Sequence, residues 1–331
     1  MSFSEIQGQT DIKAHLQSAI QHNKFSHAYI ISGEKDSGKM MLAEAFAQTI
    51  LCEEGGDDAC GECQSCHQAA GHNHPDIHYV LHEKLNSIGI DDIRTQLNND
   101  IVIKPYSSKY KIYIVDEAEK MTEQAQNALL KTIEEPPEYG VIFLLTTSAT
   151  TFLPTILSRC VLLDLKPVNQ DIIKRELMHK HGMPDYQAEV CAAFSQGNFG
   201  KAIKLAESQE FNELKNTMVD FVKRAASQGV YEINEIATEL VKSETVNIQD
   251  YLDLMTIWFK DVLLYKSTGD NKLVTYQDEI MIIKRQSAEM SFEGLENIFK
   301  AIDTCRKRLS ANVNSNLTVE LLLMEVKENM I

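Results

Sequence analysis

The 331-residue chain has no proline beyond position 184, one tryptophan, and no apolar run approaching the ~18 residues a membrane-spanning helix needs. It also lacks any excess of positive charge. The 32 Lys and Arg residues stand against 48 Asp and Glu, a formal net charge of −16. That balance excludes a protein held to nucleic acid by bulk charge and leaves room only for local basic patches. The first residues, MSFSEIQGQTDIKAHLQ, contain no apolar core of a signal peptide. The expectation is a soluble, cytoplasmic protein with no membrane partner. Its length is more than one ordinary core organises, which predicts two or three domains.

Cysteine is scarce and unevenly placed. Of seven, those at 52, 60, 63 and 66 fall within fifteen residues, while 160, 191 and 305 stand alone. An odd, clustered set reads as a metal site plus free thiols, and not as a disulfide framework. The proline-free tail carries helix-period apolar patterns such as Tyr251, Leu254, Met255, Trp258, Val262 and Tyr265, so it is expected to be almost wholly helical. The first half alternates differently. Short apolar runs at Ala28–Ser32, Ile77–Leu81, Lys111–Val115, Val141–Thr146 and Val161–Leu165 read as buried strands with helical segments between several of them. That order predicts an α/β domain with a mainly parallel sheet covered by helices on both faces.

The run Ala28–Ser32 leads into Gly33-Glu34-Lys35-Asp36-Ser37-Gly38-Lys39 and then a helical stretch, the strand–GxxxxGK–helix order of a phosphate-binding loop. Glycines let backbone N–H groups turn inward onto phosphates, and the lysine reaches the β- and γ-phosphates. The hydroxyl that should follow for Mg²⁺ is missing, because residue 40 is Met and a thioether does not ligate a hard cation. The bland reading is a Gly-rich turn without a ligand. Against it, Lys111–Val115 ends in Asp116-Glu117, the strand-end carboxylate pair that holds Mg²⁺ and polarises the attacking water in such enzymes. Together the two halves predict a P-loop fold, and Met40 argues against hydrolysis.

Cys52, Cys60, Cys63 and Cys66 give C-x7-C-x2-C-x2-C. Two-residue spacers let a tight loop aim successive sulfurs at one point, and four thiolates complete a tetrahedral Zn²⁺ site with no position left for water. A structural zinc is expected. His67, His72 and His74 are possible substitutes for one ligand, and the residues after Cys66 lack an iron–sulfur pattern. Thr147 follows a strand beside the expected phosphates. Arg159 precedes the last strand and is either a solvated charge or an arginine finger offered to a neighbouring subunit's ATP.

These residues together resemble the AAA+ clamp-loader subunits of bacterial DNA polymerase III. The matching stretches are Gly8-Gln9, Ser26-His27-Ala28-Tyr29, the loop at 33–39, the cysteine knuckle and His74-Pro75-Asp76. Lys111–Thr122, Asn127–Pro137, Ser158-Arg159-Cys160 and Asn312–Leu323 complete the set. The resemblance implies an AAA+ P-loop domain at 1–166 with the knuckle inserted at 52–66, a helical lid at 167–207 and an all-α collar at 208–331. ATP-hydrolysing members carry Ser or Thr after the loop lysine and a lid arginine within Gly-Ser-x-Arg-Asp-Ala. Here those places hold Met40 and, in Gly197-Asn198-Phe199-Gly200-Lys201-Ala202, Gly200.

The implied protein is therefore a non-hydrolysing stator with a degenerate nucleotide pocket (Gly33, Gly38, Lys39, Asp116, Glu117 and Thr147), in which binding of ATP or ADP stays open. It would form a hetero-pentamer with tau/gamma and delta subunits, load the sliding clamp onto primed DNA, and donate Arg159 in trans. The apolar stripe near Trp258 would be buried against neighbouring subunits. The alternative is an active tau/gamma-like ATPase that tolerates Met40. A stand-alone nucleic-acid-binding knuckle is disfavoured by Glu53, Glu54, Asp57, Asp58 and Glu62 around the cysteines.

Overall fold

A computed structural model of the chain describes residues 1–330 except 83, 85, 244–246 and 312. Asn312, which opens the stretch compared with the family's last helix, lies outside the described residues. The chain divides into two compact units, Met1–Ile172 with Asn198–Gly200, and Ile173–Gly197 with Lys201–Ile331.

The first unit is built on five parallel strands: β1 (Ala28–Ser32), β2 (Ile77–Val80), β3 (Lys111–Val115), β4 (Gly140–Thr146) and β5 (Val161–Asp164). Their order across the sheet is β2-β3-β4-β1-β5. Ala28 pairs with Ile142 on one side of β1, and Tyr29 pairs with Val161 on the other. Parallel strands connected by crossovers are covered on both faces, which is why β1, β3 and β4 are apolar at nearly every position. Ile30, Tyr113, Val115, Ile142 and Leu144 pack with Ala125, Leu129 and Ile133 of α3 (Glu123–Glu134). Tyr29, Ile31, Ile112, Ile114 and Phe143 pack on the opposite side. There they meet Leu16 of α1 (Thr10–Gln21) and Leu42 and Phe46 of α2 (Lys39–Leu51). Stacked Tyr29 and Phe143, 5.4 Å apart, and Phe46 against Phe143 at 5.4 Å form the aromatic centre of that layer.

Strand β2 stops at Val80, one residue short of the expected end. The Gln96 side chain takes over the backbone of Leu81, accepting its N–H at 2.9 Å and donating to its carbonyl at 2.6 Å. The carboxyl ends of β1, β3 and β4 lie side by side, so the loops that follow them share one edge of the sheet, where ligands of open α/β sheets bind.

Among its described residues the second unit has helices joined by turns and no strand. Its longest helix, Ile248–Thr268, is capped by the Asn247 side chain and ended by Gly269 in the left-handed region at φ 67°. The stripe Tyr251, Leu254, Met255, Trp258 and Val262 is fully buried within this unit. Trp258 donates its indole N–H to Gln286, whose own amide donates to the Val222 carbonyl, each at 2.8 Å. The stripe is therefore core, not the subunit interface expected of it: a tryptophan with a satisfied N–H and no exposed surface has nothing left to offer a neighbour.

Candidate nucleotide crevice and cysteine knuckle

The loop after β1 follows the predicted course. Gly33 donates to Thr146 at 3.1 Å, which holds the loop's start against β4. A Cβ at Gly33 would come within 2.8 Å of the Ser37 hydroxyl, and Gly38 caps α2 with φ 92°. Backbone shape requires glycine at 38, whereas at 33 a Cβ would crowd the side chains of Ser37 and Leu165. Lys39 opens α2, but its ammonium turns back onto the loop, donating to Gly33 O at 2.7 Å and Glu34 O at 2.6 Å. Burial lowers the Lys39 pKa, while Glu119, Asp116, Asp36 and Glu34 oppose that by attraction. Four carboxylates around the Lys39 ammonium make a poor reception for a triphosphate without a cation.

Met40 is half-buried. Its side chain joins the apolar layer under α2. Asp116 is exposed beside Lys39, as the sequence predicts for a strand-end carboxylate. Glu117 goes elsewhere. Its backbone is left-handed, φ 49°, and its carboxylate pairs with Lys120 at 2.6 Å and with His82 at 3.5 Å. The Lys120 hydrogen bond is the main reason its pKa lies below the ordinary value. Thr147 meets a residue the sequence reading passed over: its N–H and hydroxyl donate to Glu119 at 3.2 and 2.9 Å. The available signal was position, since Glu119 lies one turn beyond the Asp116 strand end.

Asn198 and Gly200, the second at the place of the missing arginine, cluster with the first unit. They close the carbonyl side of the loop. The Asn198 amide donates to Lys35 O at 2.7 Å, and Gly200 N–H donates to Asp36 O at 3.2 Å. A Cβ at 200 would lie 2.4 Å from Asp36 O. Glycine at this position is thus a packing requirement and not only the absence of arginine.

Arg159 is exposed. Its guanidinium pairs with Glu134 at 2.9 Å and donates to Thr155 O at 3.0 Å and Ser158 Oγ at 3.2 Å. The next residue, Cys160, has its thiol pushed up to about 12 by burial. The arginine is held in one place by its own short helix, Pro154–Leu157, and by α3.

The four knuckle cysteines converge. One sulfur from each lies within 4.8 Å of all the others. Cys60 and Cys66 sulfurs are 3.9 Å apart, close to the ~3.8 Å that tetrahedral bonds of about 2.3 Å to zinc impose. Backbone N–H groups point at the sulfurs: Cys63 N to Cys60 at 3.3 Å, Cys66 N to Cys63 at 3.4 Å and Cys60 N to Cys52 at 3.5 Å. The N–H groups of Glu62 and Cys63 pull the Cys60 thiol down to about 7, whereas burial pushes Cys66 up to about 12. The set can hold a metal ion. His74 is not part of it, because its ring is committed to Ser65 at 3.1 Å and to the Asp76 N–H at 3.1 Å.

Two family models match most of the chain: "DNA polymerase III, delta subunit" over residues 8–169, and "DNA polymerase III, delta subunit, C terminal" over 190–328. The chain belongs to the family of DNA polymerase III clamp-loader subunits. The Bacillus subtilis delta' subunit is similar at 29% identity over 95% of this chain and 94% of its own length. The tau subunit of the same organism is also 29% identical, over 80% of this chain and half of its own length. Haemophilus influenzae delta' is 32% identical over 59% of each chain. Among solved structures, a gamma subunit-related protein of Thermotoga maritima covers 96% of this chain and 99% of its own at 21% identity, with a TM-score of 0.46. The parallel sheet followed by a helical region is the AAA+ arrangement that family membership implies. No helix among the described residues is long and apolar enough to cross a membrane.

Proposed function

We propose that this chain is a delta'-type subunit, a non-hydrolysing stator of the clamp loader. It works in the cytoplasm with tau/gamma and delta subunits to place the sliding clamp on primed DNA. The observation that carries the reading is Met40, whose side chain is spent in the apolar layer where an active site needs a Mg²⁺-ligating hydroxyl. The tied-down Glu117 and the glycine at 200 support it. Residues 1–166 serve as the AAA+ domain, 167–207 as a lid and 208–331 as a collar. The four cysteines hold a structural zinc, which cross-links their thiolates and supplies no catalysis. Arg159 is the arginine finger for a neighbour's ATP. Its Glu134, Thr155 and Ser158 contacts hold a planar cation at the surface, where it can meet phosphate oxygens of another subunit.

Calorimetric titration with ATP and ADP, with and without Mg²⁺, beside a phosphate-release assay tests the pocket. Absent turnover supports the stator; tight Mg-ATP binding with turnover overturns it. In the reconstituted complex, Arg159→Ala should preserve assembly and slow hydrolysis at one neighbouring site by about 1,000-fold. Unchanged turnover removes the finger role. A second reading, an active tau/gamma-like ATPase, is favoured by one observation: Asp116 lies near Lys39 as a metal-holding carboxylate would.

A further inference from the structure

The stretch between Cys52 and Cys60 does more than space two ligands. It includes Gly55 and Gly56, both in the left-handed region, and carries no helix or strand. Such a loop keeps one shape only when its ends are fixed. Yet it is the loop that receives the beginning of the chain. The Asp58 carboxylate accepts the N–H of Phe3 at 2.8 Å on one oxygen and that of Ser4 at 3.1 Å on the other. Asp57 accepts the side-chain amides of two α1 residues, Gln17 on its carbonyl at 3.1 Å and Gln21 on its carboxylate at 2.9 Å. At the far end of the knuckle, Gln48 donates to the Cys66 carbonyl at 3.2 Å and accepts from the Met1 amino group.

The segment so held is not slack. Phe3 and Ile6 are buried beside Phe46. Lys13 binds the carbonyls of Ile6 at 2.7 Å and Phe3 at 3.3 Å, and attraction to Asp58 partly offsets the lowering of its pKa by burial. Three residues after Ile6, Gln9 clasps the backbone of Lys166, donating to its carbonyl at 2.5 Å and accepting from its N–H at 3.1 Å. Gly8 to Ile12 and Lys166 to Asn169 line a cavity of about 210 Å³. A continuous line of contacts therefore runs from the sulfurs through Asp58 and the first six residues to that cavity wall.

We infer that metal held by the knuckle anchors the N-terminal segment, with Asp58 as the strap that transmits metal occupancy to residues 1–9. The inference rests on the metal reading of the four cysteines. It assigns the acidic loop residues a task inside the molecule, which explains why carboxylates crowd a site whose own ligands are already anionic. Asp58 is a positioning residue and touches no ligand.

Hydrogen exchange on the full chain tests it, reading the peptide 1–9 against β4 as an internal control. Three samples suffice: zinc-loaded, chelator-treated, and zinc-loaded Asp58→Asn, with bound zinc counted in each. Chelation and Asp58→Asn should each speed exchange at Phe3 and Ser4 by about tenfold, the second with zinc retained and β4 unchanged. If the chain takes up no zinc, the metal reading falls and the anchoring with it. If zinc binds and leaves without changing residues 1–9, the metal reading stands and the anchoring is overturned. Should chelation open β4 as well, zinc-loaded Asp58→Asn decides: faster exchange confined to 1–9 supports the strap, and none overturns it.

Discussion

The phosphate-binding loop and the cysteine knuckle lie in the same unit and are both motifs of fixed spacing, yet they end differently. At the knuckle every motif residue points at one centre, with all four sulfurs within 4.8 Å of one another. At the loop the backbone is kept while the side chains are redirected: Lys39 to its own carbonyls, Met40 to the core, Glu117 to Lys120. Spacing dictates backbone shape in both places. What it cannot dictate is the partner each side chain finds. The knuckle's sulfurs meet one another and the N–H groups of their own loop, so the ligands stay available to an ion. A nucleotide crevice sits on a sheet and helices that persist without nucleotide, and its polar groups can be absorbed by neighbours.

The sharpest break of that comparison is at Cys66, the buried sulfur. Cys66→Ser should cost the metal, worth about 4 kcal/mol when free ion exceeds Kd a thousandfold, and lower the melting temperature by about 10 °C. Lys39→Met, the matching deletion in the loop, should change stability by under about 1 kcal/mol, because the lysine's bonds are to its own part-exposed loop. Equal losses in thermal denaturation would contradict the contrast.

Next in size is Gly200. If the loop's carbonyl side is closed by protein, Gly200→Arg does not restore a phosphate sensor. It forces a Cβ against Asp36 O and should destabilise by about 1–3 kcal/mol, with no gain in ATP affinity by calorimetry. Gain of tight ATP binding would show that the crevice is closed only by a missing side chain.

Much of this was legible in advance, and the reasons for the rest are local. The strands were readable because parallel sheets bury both faces and leave unbroken apolar runs, and the knuckle because four sulfurs at short spacings have one common use. The role of Gly200 was half legible: the missing arginine is written in the sequence, but the 2.4 Å approach to Asp36 depends on a contact some 160 residues away. Glu119 was passed over because Asp116-Glu117 matched the expected pair, and nothing in sequence says that Lys120 captures Glu117. The Trp258 stripe was misassigned because helical periodicity marks a buried face without saying what buries it.

A smaller effect separates the knuckle's own chemistry from its support. His74 is buried with its ring on Ser65, and burial lowers its pKa although Asp76 and Glu53 pull the other way. A histidine with a depressed folded pKa contributes stability that is fully present above the unfolded value of 6.5 and is lost as pH falls below it. His78, also lowered chiefly by burial, acts in the same window. Urea unfolding should therefore show stability declining from pH 7 towards 5.5, and His74→Asn should flatten part of that decline. An unchanged profile would mean that Ser65 and Asp76 hold the protonated ring as well as the neutral one.

The least costly change should be at Glu134, and its smallness is informative. The Arg159–Glu134 pair is exposed on both sides, so it is worth only about 0–1 kcal/mol. Glu134→Gln should leave the melting temperature within about 2 °C while loosening the guanidinium. An arginine kept for another subunit behaves this way: it is positioned by cheap, replaceable contacts and its removal costs the chain itself little. A loss of 2 kcal/mol or more in chemical denaturation would instead make Arg159 a structural cation like Lys111, which is buried and bonded to Asp100 at 2.7 Å. That outcome would count against the finger role proposed for Arg159.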